Sequence, residues 1–122
     1  MSRAPILHLT RAEAFRGLAE GEPLRPASLA AEGFIHCTAT AEVLLAVANA
    51  FYREAPGEFL VLVIDPDRLA APLKHEPPAP PPPAGHPLAG RLFPHIYGPL
   101  NRDAIVAVRA ARRAPDGTFL AV

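Results

Sequence analysis

The sequence predicts a small α+β domain, a mixed β-sheet core with two early helices, on three observations. Phe59-Leu60-Val61-Leu62-Val63-Ile64 is an unbroken β-branched and aromatic run, as expected of a strand buried on both faces. Val43, Leu44, Val47, Ala48 and Phe51 recur at the helical period of 3.6 residues. The remaining apolar runs suit strands and are too short for helices.

Taken in order, Ile6-Leu7-His8-Leu9 is the first strand. Thr10 with Glu13 three residues later is a capping-box pattern, which predicts a helix to about Ala19 that ends near Gly21. After a loop with Pro23 and Pro26, Leu29 to Gly33 predicts a short helical turn, and Gly33-Phe34-Ile35-His36-Cys37-Thr38 a second strand. Thr40 caps the second helix, Ala41 to Tyr52. Asp65-Pro66 stops the central strand, and Leu73 to Glu76 predicts a short one.

The stretch from Pro72 to Pro87 holds eight of the sixteen prolines, and its 77–83 segment is expected to be a polyproline-like surface loop. Leu92 to Leu100, punctuated by Pro94, Gly98 and Pro99, reads as a turn-rich connector. Ala104 to Arg109 is the last long strand, and Asp116-Gly117 turns Thr118-Phe119-Leu120 back as an edge strand.

At 122 residues the chain, 1–122, makes a single domain. Twelve basic and twelve acidic residues cancel, so no general basic field draws long nucleic acid or an anionic membrane. An anionic ligand then needs individually placed residues, and eleven of the twelve basic ones are arginine, the better bidentate grip. The lone Cys37 excludes an internal disulfide and a four-cysteine zinc site. With no signal-peptide core and no stretch of membrane-spanning length, a cytoplasmic location is expected.

His8 and His36 each end a short apolar strand, and His95 lies in a proline-braced loop with Tyr97. Such places either build sites or hold hydrogen-bonded core histidines, and both readings stand for His8 and His36. Three imidazoles with Asp65 or Glu76 would make an open zinc site, but no His-Glu-x-x-His or finger spacing occurs and no metal is expected. Cys37 beside His36 suits an inert thiol better than a nucleophile, because adjacent strand residues point to opposite faces. Neither a P-loop nor a Rossmann glycine pattern is present.

Five blocks carry a resemblance: Ile6-Leu7-His8-Leu9-Thr10, Arg25-Pro26-Ala27-Ser28-Leu29, Glu32-Gly33-Phe34-Ile35-His36-Cys37-Thr38, Leu60 to Asp65, and Phe93-Pro94-His95-Ile96-Tyr97-Gly98-Pro99-Leu100. Together they resemble a small bacterial family known as domain of unknown function 952, over nearly the whole chain. More distantly, the order of His8-Leu9-Thr10, His36-Cys37-Thr38, a helix, and a hydrophobic strand ending in Asp65 is similar to the RNA 2'-phosphotransferase branch of the ADP-ribosyltransferase superfamily.

That second resemblance implies an ADP-ribosyltransferase-like fold and a cleft for NAD or a related ADP-ribosyl nucleotide, with transfer or cleavage at the nicotinamide ribose. It implies that His8 bonds a ribose hydroxyl, that the backbone at Leu9 pairs with the carboxamide, and that His36 walls the nicotinamide. Arg25 is expected to hold a phosphate, with Thr10, Ser28 and Thr38 in the same blocks on the cofactor side. Leu9 stands where the superfamily has glycine. No glutamate stands near the last strands, where Asn101-Arg102-Asp103 lies, so His95 or Tyr97 is the polar group nearest to that role. Two alternatives remain: a non-catalytic module binding a nucleotide, or a protein partner through the Pro-rich loop, and a histidine-rich zinc hydrolase.

Overall fold

In the computed structural model, which describes residues 3–78, 85–86 and 88–122, the strands form two three-stranded sheets and a terminal hairpin. The first sheet has β3 (Phe59–Ile64) at its centre, flanked by β1 (Ile6–Arg11) and β6 (Ile105–Ala110). The second has β5 (Phe93–Ile96) at its centre, flanked by β2 (Ile35–His36) and β4 (Leu73–Glu76). Every described pairing is antiparallel, so the expected mixed sheet is corrected to antiparallel ones.

The central position of β3 explains its composition. Val61, Leu62 and Ile64 are fully buried because layers cover both faces. One layer joins Ile6, Leu62 and Ile64 to Ile35, Cys37, Ile96 and Leu100. The other joins Leu7, Leu9, Phe59 and Val61 to Leu44 and Ala48 of α3 (Ala41–Phe51) and to Phe119 of β8 (Phe119–Ala121). Removing Leu62 to alanine would cost about 2–5 kcal/mol by the usual core-truncation scale.

The helix α3 starts as its sequence predicts, with the Thr40 hydroxyl accepting from Val43 N–H at 3.2 Å. Asn49 on α3 pairs with β8 much as a strand residue would, donating to the Phe119 carbonyl at 3.0 Å and accepting from its N–H at 2.8 Å. The hairpin of β7 (Arg112–Arg113) with β8 turns at Asp116-Gly117, where Asp116 Oδ1 accepts from Thr118 N–H. The Arg113 guanidinium lies over both Phe59 and Phe119 and donates to the carbonyls of Gly57, Arg53 and Gly117, locking the hairpin to the end of α3.

Three expectations need correction. Thr10 does not cap a helix: β1 continues through Arg11, opposite Phe59, and the strand ladder outcompetes the local capping box. The helix that follows, α1 (Ala12–Arg16), closes at Gly17 and does not reach Ala19. The short turn near Leu29 is a helix, α2 (Ala27–Glu32), ended by Gly33 at φ +90°, so three helices and not two precede β3.

Phe93–Ile96, expected within a connector, is a central strand despite Pro94. A central proline is tolerated because β2 ends beside it. Cys37 N–H donates to the Pro94 carbonyl at 3.0 Å, and only the return bond is forfeited. The expected polyproline loop lies largely outside the described residues.

Candidate functional site

The two sheets meet edge to edge between β1 and β2, and the site lies at that seam. Leu7 and Thr38 exchange two backbone hydrogen bonds of 2.8 Å. In that register the next such pair would be Leu9 with His36. Instead the His8 ring donates from Nδ1 to the His36 carbonyl at 2.6 Å. A side chain thus takes the place of a ladder bond, the strands part, and a cleft of about 290 Å³ opens beside them.

A carbonyl only accepts, so His8 must carry its proton on Nδ1, and Nε2 of the neutral ring is an acceptor. Burial pushes the His8 imidazole down to about 4, overriding the opposing pull of the His36 carbonyl, and the ring is neutral near pH 7. The same burial raises the Cys37 thiol far above its ordinary range, so Cys37 lines the cleft as an unreactive group.

Alternation along β2, β4 and β5 places His36, Lys74, Glu76, Phe93, His95 and Tyr97 on one face of the second sheet. His95 is 1% exposed and donates from Nδ1 to Glu76 Oε1 at 2.9 Å. The Tyr97 hydroxyl donates to the same oxygen at 2.5 Å. The bond from Tyr97, and then that from His95, hold the Glu76 carboxyl below its usual range, while Tyr97 is raised by the carboxylate it serves. Phe34 stacks on the His95 ring at 4.2 Å between centroids, 22° from parallel. With Nδ1 committed, Nε2 on the opposite edge of this buried ring has no hydrogen-bond partner.

His36 stands edge-on to His95 at 5.5 Å and donates from Nε2 to Glu32 Oε2 at 2.6 Å. The rest of the lining is largely apolar, from Leu44, Val47 and Phe51 of α3, Tyr52 just beyond its end, and Leu88 and Phe93. Three imidazoles thus face a greasy wall, and no arginine is among the lining residues described.

The cleft gathers His8, Leu9, His36, Thr38 and His95. Tyr97 reaches it through Glu76. Thr10 is buried in β1, Ser28 sits half-buried on α2, and Arg25 is exposed beside the Leu24–Leu100 bridge; none of the three lines the cleft. Sequence reasoning raised Glu76 only as a zinc ligand and missed Glu32, Phe34, Phe51 and Tyr52. Glu32 had a signal, four residues before His36 across a helix end; Glu76 had only its place at the end of a predicted strand. Among the described residues no group of three histidine, cysteine or acidic side chains is placed to hold a metal ion. No helix among them is long and apolar enough to cross a membrane.

Residues 8–108 match the family model described as "Protein of unknown function (DUF952)". No curated protein matches the chain. Two crystal structures of protein CC0527 from Caulobacter crescentus, one of them a double mutant, are similar to it at 23% and 22% identity. Each has a TM-score of 0.73 and covers 94% of this chain and 92% of its own. At this identity the likeness is one of fold.

Proposed function

The chain belongs to the DUF952 family, and from the cleft at its sheet seam we propose that it is an ADP-ribosyltransferase-like domain that binds NAD by its nicotinamide-ribose end and acts at that bond. The observation that carries the reading is the pair of buried histidines, His8 and His95, each anchored through Nδ1 and both lining one cleft.

Size and charge agree with it. A volume of about 290 Å³ lies at the lower edge of small-molecule pockets, room for a heteroaromatic ring and its sugar but not for a whole dinucleotide. The aromatic and aliphatic side chains of α3 supply a wall for the ring. Glu32 lines the cleft and Glu76 stands behind His95, so the field favours a positive group, as the nicotinamide of NAD is. The same field stabilises the oxocarbenium-like character that develops as the glycosidic bond breaks. With Arg25 outside the cleft, the phosphates extend into solvent, and Arg25 is not needed to hold them.

His8, neutral and fixed in one tautomer, accepts from a ribose hydroxyl. His36, oriented by Glu32, flanks the ring. Leu9 narrows the floor, which selects a flat group.

Thermal unfolding with NAD, nicotinamide riboside and ADP-ribose tests this. NAD and nicotinamide riboside should stabilise the protein, by about 2.7 kcal/mol at a hundredfold excess over Kd, and ADP-ribose far less. His8→Ala should remove the effect. Prolonged incubation with NAD should release nicotinamide; binding without release would mark a non-catalytic nucleotide module. No shift with any of the three ligands at millimolar concentration would overturn the reading.

A further inference from the structure

We propose that His95 is the proton acceptor of this cleft, positioned by Glu76 and Tyr97, and that the group it serves is a hydroxyl, of water or of an alcohol; this deepens the NAD reading and rests on it. Three observations meet here. The His95 Nε2 is buried without a partner on a ring that lines the cleft. A buried polar nitrogen left without a partner calls for a donor from outside the chain. The other nitrogen is held by a carboxylate, which fixes the tautomer and steadies the imidazolium that forms when Nε2 takes up a proton. Phe34 stacked on one face keeps the ring from swinging.

The Tyr97 hydroxyl gives Glu76 Oε1 a second donor, so the carboxylate is pinned from two sides. The titratable groups around His95 are Glu76 and Lys74 on β4, Tyr97 just after β5, and His36 with its partner Glu32. A phosphate or carboxylate acceptor would need no base and would meet Glu32 and Glu76 as like charges. A neutral hydroxyl needs the base and meets no such repulsion.

The step balances without an oxidant. The hydroxyl oxygen forms a bond to ribose C1′, its proton passes to His95 Nε2, and the bond from C1′ to the nicotinamide nitrogen breaks with the electron pair returning to the ring. Neutral nicotinamide leaves, and the imidazolium later releases its proton to solvent.

Two measurements on the full chain test the proposal. The first needs no substrate: ring nitrogen NMR should find His95 protonated at Nδ1 with Nε2 bare, and Glu76→Gln should loosen that preference. Finding the proton on Nε2 in the parent overturns the proposal. The second follows nicotinamide release from NAD. Glu76→Gln and Tyr97→Phe should lower kcat at least tenfold with KM little changed, and Glu76→Gln should shift the acid limb of the pH profile. His95→Gln should lose a hundredfold or more. Parent-like turnover and pH profile in Glu76→Gln overturn the proposal, as does a parent that binds NAD without turnover. If NAD does not bind at all, the function reading falls on its own, and the tautomer result still decides whether Glu76 positions His95.

Discussion

Replacing His8 with asparagine should make the protein more resistant to acid, although it removes a buried residue. The histidine ring is buried at the seam with its protonation midpoint pushed down to about 4, against an ordinary value near 6.5 when unfolded. Well above pH 6.5 neither state binds the proton and His8 leaves stability unchanged with pH. Below it the unfolded chain takes up the proton and the folded one resists, so stability falls as pH drops toward the folded midpoint. Two protonation midpoints this far apart give a loss of about 2 kcal/mol by pH 5 and about 3 kcal/mol by pH 4.

Asparagine keeps an N–H for the His36 carbonyl and cannot take up a proton. Its smaller size should cost about 1–2 kcal/mol at every pH. Urea unfolding of both proteins at pH 7, 5 and 4 isolates the effect. Glu58, Asp67, Glu76 and Asp116 have lowered values and titrate in parent and variant alike, so the difference between the two curves belongs to position 8. The variant should start less stable at pH 7 and overtake the parent by pH 4. An equal acid loss in both would refute a neutral, buried His8.

Two further outcomes are expected. Gly117→Ala should destabilise by more than about 2 kcal/mol in urea, because its φ is +94° and the added carbon would stand 2.1 Å from the Arg53 carbonyl oxygen; a loss under about 0.5 kcal/mol would show that the hairpin shifts freely. Cys37, buried with its thiol raised by that burial, should react with a neutral thiol reagent only as fast as the chain opens; immediate labelling of the native protein would show that its sulfur is neither shielded nor unreactive at the cleft.

What the sequence made legible followed from how local the signal was. The strand at 59–64 and the helix after Thr40 carry period, cap and stop within one window, and both formed as read. Thr10 and Pro94 misled because their local rules were overruled by partners far along the chain, Leu60 opposite Thr10 and Cys37 beside Pro94. The histidines were visible as strand-end residues. Glu76 was not visible as their companion, since its nearness to His95 depends on the register of β4 against β5 across the whole Pro-rich stretch. The tautomers that give the cleft its chemistry depend in turn on that register and on a carbonyl of β2.

The strand order carries a consequence for how fast the molecule assembles. Among the described strands the first pairs with the third, the third with the sixth, the second with the fifth and the fourth with the fifth across the Pro-rich stretch, while the terminal hairpin alone joins neighbours through a short turn. Each long pairing must close a loop before it gains any contact, so refolding belongs to the millisecond-to-second range of nonlocal β topologies. On a ribosome, β1 would emerge well ahead of β3 and wait with its apolar edge unprotected, so in this chain an early strand depends for its safety on how soon a late one arrives.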